Sequence, residues 1–309
     1  MTPNEPQLPT GAARWVLGAR VRTLPAAVAP VLVGTAAAAG AGVGDSGLKG
    51  LVVWRCLCAL GVAVFVQIAT NLANDYSDGK RGTDDPSKRI GPPRLVGNGI
   101  ATASEVQRAM LVAFGLTALC GLPLVVFVSP WLLAVGVAAI SAGWFYTGGS
   151  RPYGYAGFGE VFVFVFFGMV ATVGSAWVQM ERFSLLAIGC GVAMGCLATA
   201  LLVVNNLRDI PGDTSSGKRT LAVRLGETGT RALYVTLLVV PMVLTPLLAG
   251  GSGRPLGGLA LLAVVPARRP VTSVLAGARG RDLFPVLAQT AQVELVFAVL
   301  LAVGLFVGG

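Results

Sequence analysis

The sequence predicts an all-α integral membrane protein in which about nine transmembrane helices form a bundle around a central cavity. Apolar residues make up 54% of the 309 residues and charged residues only 12%, and the mean hydropathy is +0.75. A soluble domain is nearer one quarter charged, so the composition excludes an ordinary soluble fold. Most of the uncharged stretches are about 20 residues long, the length of a helix that crosses a hydrocarbon core of about 30 Å.

The uncharged stretches define the predicted helices in chain order. Five of them give one span each: residues 23–44, 56–74, 161–180, 183–207 and 232–253. The longer stretch 109–150 holds two helices that turn near residues 121–123 or 129–130. Residues 255–267 give a short eighth span, and residues 283–307 give the ninth.

The distribution of lysine and arginine predicts the orientation. If the N-terminus faces the cytoplasm, 19 of the 23 basic residues lie on cytoplasmic segments and 4 on the opposite side, which agrees with the positive-inside bias. We therefore expect a multi-pass protein of the cell membrane with a cytoplasmic N-terminus. The net charge of +9 then reflects topology and attraction to anionic lipids or phosphates, not nucleic acid. Residues 1–13 form a polar tail, and residues 14–309 are expected to form one transmembrane domain.

Two polar clusters follow apolar runs on the predicted cytoplasmic face: residues 71–85, NLANDYSDGKRGTDD, and residues 205–220, NNLRDIPGDTSSGKRT. Both contain Asn, three further residues and then Asp, and both continue into Gly-Lys-Arg. Carboxylates beside membrane spans are costly, so they indicate function. The matching elements, four helices apart, suggest a diverged internal repeat with a site between its halves.

In the first cluster, Asn71, Asp75 and Asp78 fall at positions i, i+4 and i+7 and share one face of the helix. Asn74 lies four residues before Asp78. This face therefore offers carboxylate and amide oxygens at the end of a membrane span.

In the second cluster, Asn205 and Asp209 share a helical face. Pro211 disfavours helix at Ile210, so Asp213 is expected past the helix end or after a kink. Two faces of Asn and Asp that point at a shared cavity offer only oxygen ligands. This suits Mg²⁺, which takes one or two carboxylates and fills its other positions with water and substrate phosphate.

Basic residues beside the carboxylates indicate that the ligand is a phosphate. They are Lys80, Arg81, Lys88, Arg89 and Arg94 in the first polar segment and Lys218, Arg219 and Arg224 in the second. Arginine binds phosphate through two N–H groups and lysine as a point charge. The chain contains no histidine, which removes imidazole bases and histidine-ligated zinc or haem. The pattern predicts a Mg²⁺–diphosphate site beside an apolar cavity, which would suit a polyprenyl diphosphate.

Two other interpretations stay open. The clusters can be ordinary solvated loops with salt bridges, although two matching loops on one face disfavour this. A polytopic transporter is the second alternative. Such proteins place acids near the bilayer midplane on broken helices, whereas here the acids lie beside cations at the predicted cytoplasmic end.

At these residues the chain resembles the UbiA superfamily of intramembrane prenyltransferases, and more narrowly its MenA type. Two acidic motifs carry the resemblance: Asn74-Asp75-Tyr76-Ser77-Asp78 and Asp209-Ile210-Pro211-Gly212-Asp213. Further stretches support it, in the expected order: VRTLPAAVAPVLVGT from Val21, RIGPPRLV from Arg89, RPYGY from Arg151, VFVFVFFG from Val161, and SSGKRTLAVRLG after the second motif. Together they cover residues 21 to about 226, which is more specific than either acidic motif alone.

The resemblance implies a Mg²⁺-dependent transfer of a polyprenyl group from polyprenyl diphosphate to 1,4-dihydroxy-2-naphthoate, with loss of diphosphate and CO₂, in menaquinone synthesis. A sibling enzyme with another aromatic acceptor is the runner-up. The resemblance implies catalytic roles for Asp75, Asp78, Asp209 and Asp213, which bind metal together with Asn71, Asn74 and Asp84. The expected diphosphate ligands are Arg22, Lys80, Arg81, Lys88, Arg89, Arg94, Lys218 and Arg219.

The chain departs from the superfamily pattern at two places. An extended first motif would need Asp at position 82, which is Gly82, and the next acid, as in the MenA type, is Asp84. No lysine lies four residues after Tyr146, so no catalytic Tyr/Lys pair is carried over. Aromatic side chains near the clusters are candidates to stabilise a carbocation through a ring face, although packing is their commoner role: Tyr76, Trp144, Tyr146, Tyr153 and Tyr155.

Overall fold

The structure is a computed structural model that describes residues 8–44, 47–83 and 91–308, and in this part of the chain the regular elements are all helices. A short helix, α1, comes first and nine apolar helices follow. Their bounds are Ala12–Ala19 (α1), Pro25–Ala37 (α2), Val53–Arg81 (α3), Ala103–Phe127 (α4), Leu132–Phe145 (α5), Gly159–Met180 (α6), Leu185–Ser215 (α7), Leu221–Gly251 (α8), Pro255–Leu275 (α9) and Leu283–Gly308 (α10).

The helices α2 to α10 confirm the predicted spans. Within the described residues, seven helices are long and apolar enough to cross a membrane, and α2 and α5 are shorter apolar helices. The turn inside the stretch 109–150 lies at Ser129 and Pro130, whereas Pro123 lies inside α4. Helix α9 runs to Leu275, eight residues beyond the predicted end.

Helix α2 is shorter than predicted, because a distant arginine binds its carboxyl end. It spans 13 residues, or about 20 Å, and ends at Ala37. The guanidinium of Arg254, in the turn between α8 and α9, donates hydrogen bonds to the carbonyls of Ala36, Ala37 and Ala39. These bonds satisfy carbonyl groups that a helix end otherwise leaves without partners, so the chain can turn there inside the protein.

Helix α7 lies at the centre of the bundle. In its most apolar 18 residues, 78% are buried, against 22–44% in the same stretch of the other six long helices. The remaining side chains of those six helices face outward, as in a bundle surrounded by lipid. Glycines allow α6 to pack closely against α7: a Cβ on Gly168 of α6 would lie only 2.2 Å from the Cα of Gly195 on α7. This close packing fixes the position of α7 relative to its neighbours, and some of its residues line the cavity described below.

Two helices carry the acidic clusters beyond the apolar part of the bundle. Helix α3 continues to Arg81 and ends at Gly82, whose φ of +71° is in the left-handed region that favours glycine. Helix α7 continues through Pro211 to Ser215. Of the two placements expected for Asp213, the one past the helix end is wrong: Asp213 lies two residues after Pro211 and one turn after Asp209 on the same helix. A proline inside a helix removes one hydrogen bond and crowds the carbonyl of residue i−4, but Pro211 does not end the helix.

Candidate active site

A cavity of about 2160 Å³ lies inside the bundle, more than twice the size of a pocket for a drug-sized ligand. Apolar residues of α2 to α6 line most of it, among them Val31, Ala63, Val66, Leu133, Val137, Phe166 and Val170. Polar residues line one end, among them Asn71, Asn74, Asp78, Asn205, Asn206, Arg208, Asp209, Asp213 and Lys218. The cavity thus suits a long apolar ligand with a charged head.

Helix α3 presents the first cluster to this end of the cavity. The amide nitrogen of Asn71 donates to the carbonyl of Ala19 at 3.0 Å. The side-chain oxygen of Asn74 accepts from the hydroxyl of Thr147 at 2.8 Å. Asp78 is buried and lines the cavity beside them. Asn71, Asn74 and Asp78 all line the cavity.

Asp75 lies on the same helix but has different partners. Its two carboxylate oxygens accept hydrogen bonds from the backbone N–H groups of Leu95 and Val96, at 3.1 and 3.0 Å. The side chain is only 2% exposed and is not part of the cavity lining. Asp75 therefore binds the segment that contains Leu95 and Val96 to α3. This placement favours a structural role for Asp75 over the predicted role as a metal ligand.

Helix α7 presents the second cluster. The amide of Asn205 lies 3.5 Å from Asp209, which confirms their shared face. The guanidinium of Arg208 donates to both oxygens of Asp209, at 2.7 and 2.6 Å, and to Asn205 at 2.9 Å. Arg208 is 6% exposed and lines the cavity. The sequence analysis used Arg208 only as one of the basic residues that predict orientation. Its position directly before Asp209 in a predicted helix could have indicated a role in the site.

Asp213 completes the second cluster in the last turn of α7. Its carboxylate lies 3.5 Å from the hydroxyl of Thr220, and its charge interacts with those of Lys218, Asp209 and Asp78. The interaction with Asp78 joins the two clusters electrostatically. The carboxylates of α3 and α7 therefore face one shared space.

The loop between α5 and α6, residues 146–158, contacts both clusters and is called here the tyrosine loop. Arg81 donates to the carbonyls of Thr147 and Gly149. From the other side, the backbone N–H of Arg219 donates to the carbonyl of Tyr155 at 2.9 Å, and Arg224 donates to the carbonyl of Ala156 at 2.7 Å. Basic residues of both polar segments thus hold the tyrosine loop across the polar end of the cavity.

Of the predicted diphosphate ligands that the structure describes, only some line the cavity. Arg94 and Lys218 line the cavity, together with Arg20 and Arg208, which the sequence interpretation did not select. Lys80 lies over the ring of Tyr76, 5.7 Å from its centre, and, like Arg81 and Arg219, is not part of the lining. The remaining predicted site residues lie outside the described part of the structure: the side chain of Arg22, and Asp84, Lys88 and Arg89.

A further polar pair lies deeper in the wall and was not predicted. Glu160, in the first turn of α6, is buried, and its carboxylate accepts a hydrogen bond from the side chain of Asn206 at 2.9 Å. Asn206 lines the cavity. The only sequence signal was an acid at the start of an apolar run, which also occurs at ordinary helix N-termini.

The donor set fits a magnesium ion that arrives with a phosphate. Among the described residues, no three carboxylates lie close enough together to form a metal-binding group by themselves. Mg²⁺ does not require such a group, because one or two carboxylates with water and substrate phosphates complete its octahedron. Asp78, Asp209 and Asp213, with the amide oxygens of Asn71 and Asn74, supply oxygen donors of this kind around one space.

This chain is similar to two named proteins along nearly its whole length. A protein of Mycobacterium tuberculosis named 1,4-dihydroxy-2-naphthoate octaprenyltransferase is 49% identical over 96% of this chain and 98% of its own length. An Escherichia coli protein of the same name is 38% identical over 94% of each chain. Both relatives therefore match this chain along nearly its whole length.

Comparison with solved structures confirms the fold. A UbiA homologue from Archaeoglobus fulgidus, solved bound to DMAPP and Mg²⁺, aligns with a TM-score of 0.58 at 13% identity, over 94% of this chain and 99% of that one. The sequence profile of the UbiA prenyltransferase family matches residues 27–282. With the two relatives above, that match places this chain in the UbiA prenyltransferase family.

Proposed function

We propose that this protein transfers a polyprenyl group from a polyprenyl diphosphate to 1,4-dihydroxy-2-naphthoate, releasing diphosphate and CO₂ and forming demethylmenaquinol. The observation that carries the proposal is the pair of carboxylate clusters that face each other at the polar end of one long apolar cavity. The names of the two relatives support the naphthoate acceptor. The A. fulgidus homologue, bound to DMAPP and Mg²⁺, supports the donor class.

A Mg²⁺ ion would take one or two of the carboxylates of Asp78 on α3 and of Asp209 and Asp213 on α7, with water and substrate phosphate at its other positions. Asn71 and Asn74 would be further oxygen donors. When bound, Mg²⁺ neutralises the charge that develops on the departing diphosphate. Asp209 is now bound by Arg208 through both oxygens. Arg208 lines the cavity beside Asp209, where its guanidinium would also contact the phosphate oxygens.

Cations of the cavity wall bind the diphosphate. Lys218 and Arg94 are the predicted ligands that line the cavity, and Arg208 joins them. Guanidinium groups contact phosphate through two N–H donors, and the ammonium of Lys218 acts as a point charge. Arg81 acts on the site through the tyrosine loop, which its guanidinium holds in place; Arg219 contacts the same loop only through its backbone N–H.

The apolar part of the cavity holds the prenyl chain and excludes water from the reacting carbon. The carbon–oxygen bond of the allylic diphosphate breaks, and its electron pair leaves with the diphosphate. The electron-rich naphthoate ring then attacks the allylic cation, which the faces of Tyr146, Tyr153 and Phe162 can stabilise from the cavity wall. Net exchange of the ring carboxylate for the prenyl group releases CO₂ and restores aromaticity.

The protein acts at the cytoplasmic face of the cell membrane. Both acidic clusters lie at the same end of the bundle, and the lysine and arginine distribution favours a cytoplasmic position for that end. In this orientation the diphosphate head lies near the aqueous phase while the prenyl chain extends along the membrane-spanning helices.

Purified protein is expected to convert octaprenyl diphosphate and 1,4-dihydroxy-2-naphthoate, in the presence of Mg²⁺, into a prenylated, decarboxylated product. The measurement is product formation by mass spectrometry together with release of labelled CO₂ from carboxyl-labelled acceptor. A chelator should abolish both signals. Product with 4-hydroxybenzoate but none with the naphthoate would assign the chain to a sibling reaction, and no product with any aromatic acceptor would reject the proposal.

The Asp75→Asn variant is expected to lose stability but keep the metal requirement of the wild type. An amide has one acceptor oxygen for the two N–H groups of Leu95 and Val96, and a hydrogen bond to a charged group contributes about 1.5–3 kcal/mol. Thermal unfolding in detergent should show a lower Tm, while the Mg²⁺ concentration for half-maximal turnover stays unchanged. A raised Mg²⁺ requirement at unchanged Tm would instead make Asp75 a metal ligand.

A further inference from the structure

Tyr155 lies where the two clusters meet. Its hydroxyl donates a hydrogen bond to one carboxylate oxygen of Asp78. Its carbonyl accepts from the backbone N–H of Arg219, at 2.9 Å. One residue of the tyrosine loop therefore contacts a carboxylate of α3 and the segment that follows α7.

The ring of Tyr155 is a contact surface for cations from both clusters. The ammonium nitrogen of Lys218 lies 4.3 Å from the ring centre, and the guanidinium carbon of Arg81 lies 5.5 Å from it. Cations at these distances are attracted by the aromatic quadrupole. The ring thus holds Lys218 at the polar end of the cavity that both residues line.

The position of Tyr155 does not depend on a ligand. Arg81 holds the start of the tyrosine loop, Thr147 is bonded to Asn74, and Arg224 holds Ala156. The hydroxyl of Tyr155 donates to Asp78 in this structure. The contact with Asp78 is therefore built into the protein before any substrate binds.

We propose that Tyr155 is a positioning residue of the metal–diphosphate site. Its hydroxyl occupies one oxygen of Asp78 and turns the other toward the cation, and its ring holds Lys218 where the phosphate arrives. Hydrogen-bonded partners of metal-binding carboxylates act in this way, and their loss typically costs 10–100-fold in metal affinity or activity. The inference rests on the proposed function, because it assigns Asp78 and Lys218 to that site.

The test is calorimetric titration of Mg²⁺ into the purified full-length protein with inorganic pyrophosphate present. Tyr155→Phe should weaken Mg²⁺ binding by about 10-fold or more. Tyr155→Leu, which also removes the ring, should additionally weaken pyrophosphate binding and raise the KM for the prenyl diphosphate. The matched control is Tyr234→Phe, which removes another buried tyrosine hydroxyl, bonded to Thr290 at 2.7 Å, outside the cavity lining.

Measuring the turnover of Tyr155→Phe distinguishes the loss of a positioning contact from damage to the fold. Saturating Mg²⁺ should restore most of kcat in Tyr155→Phe, which a partly unfolded protein would not show. Wild-type Mg²⁺ affinity in Tyr155→Phe would overturn the inference, and so would tighter binding, which would make the hydroxyl a competitor of the metal. If Asp78→Asn and Asp209→Asn also bind Mg²⁺ and pyrophosphate normally, the proposed metal site has failed, not the role of Tyr155 alone.

Discussion

Replacing Asp78 or Asp209 with asparagine is expected to lower prenyl transfer by about 10²–10³-fold, the usual effect of removing one group that stabilises charge in a transition state. Asparagine keeps nearly the same shape, so the loss isolates the negative charge. Each carboxylate comes from a different helix, and both line the polar end of the cavity. The measurement is initial-rate prenyl transfer at saturating Mg²⁺ and at increasing prenyl diphosphate.

A suitable control is Glu227→Gln, which neutralises a carboxylate outside the cavity lining. Glu227 pairs with Arg279 at 2.7 Å and with Arg231 at 3.4 Å, so its loss should affect only that surface contact. Wild-type turnover in both aspartate variants would remove the clusters from the reaction. A loss in only one of the two variants would mean that the charge removed in the other is not needed for the reaction.

Placing a large side chain in the apolar part of the cavity is expected to separate long from short prenyl donors. Gly136 of α5 lines the cavity, and a Cβ added there would meet no atom within 4 Å. Gly136 lies ten residues before Tyr146, which is about 15 Å along a helix. A Gly136→Phe side chain should therefore block the path of a long chain without reaching the diphosphate.

For octaprenyl diphosphate we expect kcat/KM to fall by about 10²-fold in this variant, within the range that pocket shape can provide, while geranyl diphosphate is used as by the wild type. The matched control is Gly115→Phe on α4, where an added Cβ also meets open space but the residue is not part of the cavity lining. Equal losses for both donors would indicate general damage. Unchanged use of the long donor would mean that the chain takes another path.

Helix positions were predictable because membrane spans depend on length and lack of charge, and both can be read along the chain. One exception occurs where a distant residue supplies a partner. Helix α2 ends early because Arg254, more than 200 residues away, binds the carbonyls at its end. Helix α7 is an exception of another kind: it continues past Pro211, which is exposed, to Ser215, because the bias of the preceding residue away from helix is a preference and not a prohibition.

Two carboxylates within one turn of α3 also differ in contacts that the sequence does not reveal. Asp75 and Asp78 are three residues apart, and the helical period places both near the face of Asn71. Asp75 faces two backbone N–H groups of a later segment, whereas Asp78 faces the cavity and Tyr155. Periodicity gives the direction of a side chain from its helix, but it does not say what lies opposite.

The sequence by itself determined the membrane class, the number of apolar helices and the oxygen-and-cation chemistry of the two clusters, because these follow from composition and spacing. The tertiary structure decided which carboxylates share the cavity, that Arg208 lines it beside Asp209, and that the tyrosine loop contacts both clusters. Those outcomes depend on contacts between segments far apart in the chain. Such contacts arise only when the helices pack, so no local pattern records them.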